Sequence, residues 1–164
     1  MGKVEIKKEL IIQCVVEYIV EKGLLNEMGI RSLAKAAGTS DRMLIYYFGT
    51  KDELINQALN TIAAGFTLQL DALLGDRLRP ASQLLAELTA IVSHDDFDSS
   101  ARLWFELVGL AARKKEPYAS NAKALAENWI EWVESRLIEP QEGQAADLYA
   151  HLEGRLMLKL VRGE

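Results

Sequence analysis

Residues 29–51 read GIRSLAKAAGTSDRMLIYYFGTK and predict two short helices joined by a tight turn. Apolar residues of the first helix recur three or four positions apart, so one of its faces is apolar. They are Ile30, Leu33, Ala34 and Ala37. Gly38 ends this helix where the chain must turn sharply, because glycine adopts a left-handed conformation at little cost. The pattern predicts a helix-turn-helix at about residues 29–48.

The second helix carries the side chains that this motif offers to DNA. Thr39 or Ser40 can cap its first turn, because either hydroxyl can accept a backbone N–H. Leu44 and Phe48 lie four positions apart and are expected to face inward. The opposite face of residues 40–48 is then free to enter a DNA groove.

On these residues the chain resembles the TetR family of bacterial transcriptional regulators. Gly38 and the two hydroxyl residues after it match the turn of the family's pattern. The match continues in the Tyr47-Phe48 pair and in Lys51, three residues later. The resemblance is close over about the first third of the chain, whereas the remainder agrees only in its helical layout.

Four positions depart from the family's pattern. Gly29 stands where a helix-capping Thr is usual, and Asp41 stands where Lys or Arg is usual. Arg42 replaces a usual Gly, and Ile45 replaces a usual Tyr. All four positions are expected to be exposed or at a helix cap, so the departures should not affect the fold. They do mean that the operator sequence of a relative cannot be assumed for this protein. Arg42 is a gain, because a guanidinium in the major groove can bond guanine O6 and N7 bidentately.

The resemblance implies a homodimeric regulator, most simply a repressor that a small-molecule effector releases from a pseudo-palindromic operator. It places a helix-turn-helix DNA-binding domain at residues 1–50 and a helical regulatory and dimerisation domain at residues 51–164. The implied partners are double-stranded DNA, a second copy of the chain and an unknown effector, with neither a membrane nor a cofactor. The implied location is the bacterial cytoplasm, in association with the nucleoid.

Ten residues of the motif are expected at the DNA. They are Arg31, Ser32, Thr39, Ser40, Asp41, Arg42, Met43, Tyr46, Tyr47 and Lys51. Those expected to face base edges are Ser40, Arg42, Met43 and Tyr46. Tyr47, Lys51 and the amides near Arg31 are expected to hold phosphates, which position the protein without specifying sequence.

Helical periodicity covers most of the remaining chain and predicts an all-α fold, with a three-helix head, a long connector helix and a helical body. The further helices are predicted at residues 3–22, 51–74, 80–93, 99–113, 120–138 and 144–161, with a polar break at residues 94–98. In the first helix the apolar stripe is expected to consist of Ile6, Leu10, Cys14 and Tyr18, with Ile11 and Val15 beside them. Thr50 and Glu53 are expected to form a capping box at the start of the connector.

The last two helices resemble the pair that this family packs against a second copy as a four-helix bundle. The expected interface residues are Leu125, Trp129, Trp132, Leu148, Leu152, Leu156 and Leu160. Gly154, inside the last helix, predicts a close helix crossing. The alternative, that both helices simply cover the core, stays open on the sequence pattern alone.

A ligand cavity is a further expectation for the body helices. Its candidate lining residues are Phe66, His94, Arg102, Trp104, Phe105 and Trp129. Aromatic residues at helical spacing also fit an ordinary core, so two interpretations of the aromatic set stay open. A protein of the same fold without small-molecule control is one alternative function, and a helical enzyme or protein-interaction module with a vestigial helix-turn-helix is another.

Charge and composition limit the other functional classes. The net charge is −5, yet residues 1–51 carry eight basic and six acidic side chains, as expected when only the head meets phosphates. Two histidines lie far apart without partners at metal-ligand spacing, and the sequence has no phosphate loop or nucleophile motif. We therefore predict neither a metal site nor an enzyme. The single cysteine, Cys14, is expected to be a small buried hydrophobe.

Overall fold

The computed structural model describes residues 2–26 and 28–163, and these residues form eight α-helices and one short 3₁₀ helix. The helices are α1 (Lys3–Lys22), α2 (Ile30–Ala36), α3 (Asp41–Phe48), α4 (Lys51–Leu74), α5 (Ala81–Val92), α6 (Asp98–Ala112), α7 (Tyr118–Glu134) and α8 (Gln144–Arg162), with the 3₁₀ helix at Asp95–Phe97. The predicted all-α fold is confirmed. No helix within the described ranges is long and apolar enough to span a membrane.

The chain divides into two compact units. The first contains the described residues up to Gly65 together with Glu106–Ala122, and the second contains Phe66–Phe105 and the described residues from Lys123 onward. Helices α4, α6 and α7 therefore each contribute residues to both units. The functional division of the chain at residue 50 stays a prediction.

Helix α1 has the predicted bounds, but it buries only one side of the predicted apolar stripe. Its buried side chains are those of Ile11, Val15 and Ile19. Ile6 and Leu10, which the predicted stripe turned inward, are exposed, and Cys14 and Tyr18 are only half-buried. The helix is apolar around most of its circumference, so several stripes fit helical spacing equally well and packing selects one of them.

Helix α4 begins and ends as predicted, although only half of the capping box forms. The Thr50 hydroxyl accepts the Glu53 backbone N–H at 3.0 Å. The Glu53 carboxylate does not return to the cap in the expected way, because it accepts a hydrogen bond from the Gln57 amide at 2.8 Å. The helix closes at Gly75, whose φ of 67° is one that glycine adopts without strain.

The second unit is built around one hydrophobic cluster. Its buried members are Leu70, Leu74, Leu84, Leu88, Val92, Phe97, Val133, Leu137, Ala145 and Leu152. The predicted polar break at residues 94–98 is only partly polar, because Phe97 enters this core from the 3₁₀ helix.

Helix α7 ends four residues earlier than predicted because Ile138 N donates to the Arg79 carbonyl at 3.0 Å instead of continuing the helix.

Candidate nucleic-acid interface

The turn between α2 and α3 has the geometry that the sequence predicts. Gly38 has a φ of 58°, and Thr39 N donates to the Ala34 carbonyl at 2.9 Å, which closes the end of α2. Ala34 is buried, so its small side chain lets the two helices approach each other. Leu33 of α2 and Leu44 of α3 are fully buried on the inner face of the motif.

Ser40, rather than Thr39, caps the second helix. Its hydroxyl accepts the backbone N–H of Met43 at 3.3 Å, so the helix proper starts at Asp41. Leu44 and Phe48 are both buried, as predicted. Their burial fixes the rotation of α3 and turns its opposite face outward.

The structure places all ten predicted DNA-contact residues in the first unit, and none of them is buried. The exposed ones are Arg31, Ser40, Arg42 and Tyr46. The half-buried ones are Ser32, Thr39, Asp41, Met43, Tyr47 and Lys51. Their contacts with DNA stay predictions, but each side chain has a surface that DNA can reach.

An acidic side chain lies within this surface. The Asp41 carboxylate is 3.8 Å from the Arg31 guanidinium, and both groups are largely solvent-exposed. Asp41 lies in the first turn of α3, where a negative charge interacts favourably with the helix dipole. The same charge repels phosphates and partly neutralises Arg31, so it stabilises the helix at the expense of attraction to DNA.

The C-terminal end of α3 is supported by contacts between aromatic rings and a cation. The Tyr46 and Tyr47 ring centroids lie 5.2 Å apart in an edge-to-face arrangement. The Lys8 ammonium lies 5.7 Å from the centroid of the buried Phe48 ring and so adds a positive charge at this end of α3. This contact joins α1 to α3 and has no local signal in the sequence.

A carboxylate from α6 holds the loop that leads from α1 to the helix-turn-helix. Glu106 accepts the backbone N–H of Leu24 at 2.5 Å and that of Leu25 at 3.4 Å. An added Cβ at Gly23 would lie 2.6 Å from this carboxylate and would displace it, and the φ of 74° is one that glycine adopts without strain. Glu106 lies 82 residues from Leu24, and sequence reasoning missed it because no local pattern links the two residues.

The beginning of α7 lies in the first unit and contacts α4 there. The amide of Asn121, a buried residue, donates to the side-chain oxygen of Asn56 on α4 and to the carbonyl of Pro117 at 2.8 Å. Burial raises the pKa of the neighbouring Tyr118 hydroxyl, and the charge of Asp52 raises it further. The beginning of α4, which carries Lys51, is thus packed against the beginning of α7.

The expected ligand-pocket residues do not all have the same environment. Phe66 and Trp129 lie together, with ring centroids 5.1 Å apart, whereas His94 and Arg102 are exposed. Trp104 and Phe105 are half-buried. Sequence reasoning missed several residues around this set, namely Phe97 against Phe66, Trp132 and Tyr149 against Trp129, and Glu153 against Trp104.

The leucine stripe predicted for the dimer interface faces the chain's own core. Leu125 and Leu152 are buried within the second unit and present no surface to a partner. Trp129, Trp132, Leu148 and Leu156 pack against that core, and Leu160 is half-buried. The predicted close crossing at Gly154 is also absent within the chain, because no described atom outside the helix's own backbone lies within 4 Å of an added Cβ.

Comparison with known proteins identifies the helix-turn-helix domain. Residues 16–58, which contain the whole helix-turn-helix, match the family of bacterial regulatory proteins called the tetR family. Over 158 residues the chain is 25% identical to the HTH-type transcriptional regulator PksA of Bacillus subtilis (strain 168). The aligned region covers 92% of this chain and 77% of PksA. The chain carries a helix-turn-helix domain of the TetR family. It is therefore a DNA-binding transcriptional regulator, and the family is one of regulators rather than enzymes.

Solved structures extend the TetR fold over nearly the whole chain. A transcriptional regulator from Rhodococcus sp. Rha1 has a TM-score of 0.70 at 23% identity and covers 93% of this chain and 83% of that one. A structure from Rhodococcus sp. assigned to the TetR family has a TM-score of 0.69 at 18% identity, with 95% and 88% covered. These likenesses support a TetR fold, a helix-turn-helix followed by a helical body.

Proposed function

We propose that this TetR-family regulator is a homodimeric repressor that a small-molecule effector releases from a pseudo-palindromic operator. The observation that carries the DNA-binding part is the orientation of α3. Leu44 and Phe48 anchor it in the core, while Arg42 and Tyr46 remain exposed on its outer face. A short helix held in this way is the element that helix-turn-helix proteins insert into the major groove.

The outer face of α3 contacts the base edges of the operator in this proposal. Arg42 can donate two hydrogen bonds to one guanine, and Ser40, Met43 and Tyr46 share its side of the interface. Lys51, in the first turn of α4, combines its charge with the N-terminal amides of that helix to hold a phosphate. In the dimer the two heads read half-sites about 34–36 Å apart or a multiple of that distance.

The experiment that tests this function is the selection of binding sites from random duplex DNA by the purified protein. A repressor of this kind should enrich two inverted half-sites at a fixed spacing, and its affinity should fall steeply as salt increases. Enrichment of one half-site without symmetry would contradict the dimeric arrangement. Affinity that is indifferent to salt would contradict phosphate contacts by the head.

Substitution of Arg42 separates sequence reading from phosphate binding. Arg42→Ala should cost about 1–3 kcal/mol of operator binding and relax the preference at one base step, because the bidentate contact with guanine is lost. Lys51→Ala should weaken binding to all sequences alike, and it should reduce the slope of log affinity against log salt concentration by about one. Site selection measures the base preference, and fluorescence anisotropy over a series of salt concentrations measures the affinity and its salt dependence. An unchanged base preference in Arg42→Ala would show that another face of α3 enters the groove.

Substitution of Asp41 should strengthen DNA binding. Asp41→Asn removes a negative charge from the interface and frees Arg31, so affinity should rise about two- to fivefold at low salt, the scale of an exposed charge pair. The gain should disappear at high salt because the interaction is screened. Asp147→Asn is the matched control, since Asp147 is also an exposed acid in the first turn of a helix, α8. Equal gains in affinity in the two variants would show that Asp41 does not lie at the DNA interface.

The dimer is proposed to form through a face of α8 other than the predicted leucine stripe. Its members recur three or four positions apart and are Ala150, Gly154, Met157, Leu158 and Val161. The last three are exposed large apolar side chains, and Val161 is 78% exposed. Gly154 lies in the middle of this surface without a side chain, so the backbone of a second α8 can approach closely. We call this surface the α8 face.

The effector is proposed to act through the helices that belong to both units. A ligand that displaces the body ends of α4, α6 or α7 moves the head ends with them, because each helix is continuous. Glu106 of α6 holds the loop after α1, and Asn121 of α7 holds Asn56 of α4, so both helices reach the DNA-binding head. A coupling of about 1–3 kcal/mol between the effector and DNA is the usual scale for such a switch.

A further inference from the structure

The carboxylate of Glu153 on α8 lies half-buried among aromatic side chains in the second unit. The Trp104 indole N–H donates to its Oε2 at 2.6 Å, and the Tyr149 hydroxyl forms a second hydrogen bond with it. Burial raises the pKa of Glu153, because the low-dielectric surroundings disfavour its charged form. The group is held in a defined position by two donors, both of them neutral.

Glu153 differs from the comparable carboxylates of its unit in having no cationic partner. Within the described part of the second unit, four Asp and Glu side chains are half-buried. Three of them form ion pairs, Asp71 with Arg136, Glu87 with Arg79 and Asp98 with Lys159. No described lysine, arginine or histidine pairs with Glu153. A half-buried carboxylate without a cation costs folding free energy, so its presence needs a reason outside the packing of the unit.

Aromatic rings surround this carboxylate on the side of the body's aromatic cluster. The Tyr149 ring stacks on Trp129, with centroids 6.5 Å apart and planes inclined by 17°. Trp129 in turn lies 5.1 Å from Phe66. Tyr149, Trp104 and Trp129 are each half-buried, so none of the three residues is fully closed off from solvent. Aromatic faces beside a carboxylate are the combination that proteins use to bind organic cations, through cation–π attraction and a charge-assisted hydrogen bond.

We propose that Glu153 is the anionic anchor of an effector site for an organic ammonium ion with an aromatic or apolar body. A carboxylate has about four acceptor positions, and Trp104 and Tyr149 occupy two of them. The remaining positions accept N–H donors of the ammonium group, and the rings of Trp129 and Tyr149 receive its apolar part. This assignment names the chemical class of the effector in the proposed ligand-responsive function, and it rests on that function.

Direct binding of simple probes tests the site. Phenethylammonium, the neutral phenethyl alcohol and the anionic phenylacetate differ mainly in charge, and calorimetry with the full chain at pH 7.5 compares them. The cation should bind at least tenfold more tightly than either analogue. Glu153→Gln should abolish this preference and leave the alcohol unaffected, because glutamine retains an acceptor for Trp104 and loses the charge. Glu131→Gln, which neutralises an exposed carboxylate on α7, should bind the cation as the parent chain does.

Two results would overturn the assignment. One is equal binding, or no binding, of the cation and the alcohol at millimolar concentration, and the other is an unchanged preference in Glu153→Gln. Operator affinity measured in parallel separates this assignment from the proposed function. Cation binding that depends on Glu153 but leaves operator affinity unchanged would support the site and contradict its regulatory role. Release from the operator by a neutral or anionic compound, without any cation preference, would support ligand control and reject the site.

Discussion

Replacement of Arg79 by methionine should lower the free energy of unfolding by about 2–4 kcal/mol, because it leaves buried carbonyls without donors. The Arg79 side chain is only 4% exposed, and its Nε is 2.6 Å from the Glu87 carboxylate. Its two terminal nitrogens donate to the carbonyls of Leu74 and Arg77. One guanidinium thus joins the end of α4, the following turn and α5. Methionine fills a similar volume but offers none of these donors.

Arg77→Met is the matched control for this prediction. The Arg77 guanidinium is 3.5 Å from the same Glu87 carboxylate, but it is 69% exposed, and exposed pairs contribute about 0–1 kcal/mol. All three tryptophans lie in the second unit with Arg79, so their fluorescence during urea unfolding reports on that unit. Both variants are compared at one protein concentration, because dimerisation contributes to stability. Equal losses in the two variants would mean that Glu87 pairing, rather than the buried carbonyls, determines the effect.

The helix-turn-helix could be predicted from sequence because its signals are local. Gly38 supplies the turn, Ser40 caps the second helix, and the spacing of Leu44 and Phe48 sets the rotation of that helix. Each of these signals depends on residues within one or two turns of each other. The exposure of Arg42 then follows from the burial of residues on the opposite side.

The choice of face was harder to predict for helices that are apolar on several sides. In α1 the expected stripe included Leu10 together with Val15, whereas the structure buries Val15 and leaves Leu10 exposed. In α8 the leucines were expected at a dimer interface, whereas Leu152 enters the core of its own unit. Periodicity identifies such helices but does not state which apolar face meets which neighbour, because that depends on tertiary packing.

The polar residues that fix the structure were missed because the local sequence shows neither their burial nor their partners. Glu106 binds the loop at Leu24, and Glu153 accepts from Trp104, 49 residues away. Arg79 lies in a short segment before α5 and gives no sign of burial in the sequence. A charged residue is usually exposed, so local reasoning places these three at the surface, and only the complete fold reveals their contacts.

Replacement of Gly154 by arginine should dissociate the dimer and reduce operator affinity on the order of 100-fold, the scale of an interface hot spot. An added Cβ at this position meets no described atom within 4 Å beyond the neighbouring residues and the helix's own backbone, so a side chain can leave the helix here. Arginine is also a better helix former than glycine by about 1 kcal/mol. The variant should therefore fold, while its bulk and charge keep a second α8 face at a distance.

Gly109→Arg provides the matched control for the dimer. Gly109 is an exposed glycine within α6, it too has open space around an added Cβ, and its replacement adds the same charge to the protein. Sedimentation velocity should find a dimer for this control and a monomer for Gly154→Arg. Operator affinity should fall in parallel with dissociation, because two linked heads bind as one unit whereas separate heads bind independently. A Gly154→Arg protein that remains dimeric and binds the operator as the control does would place the contact between copies elsewhere than the α8 face.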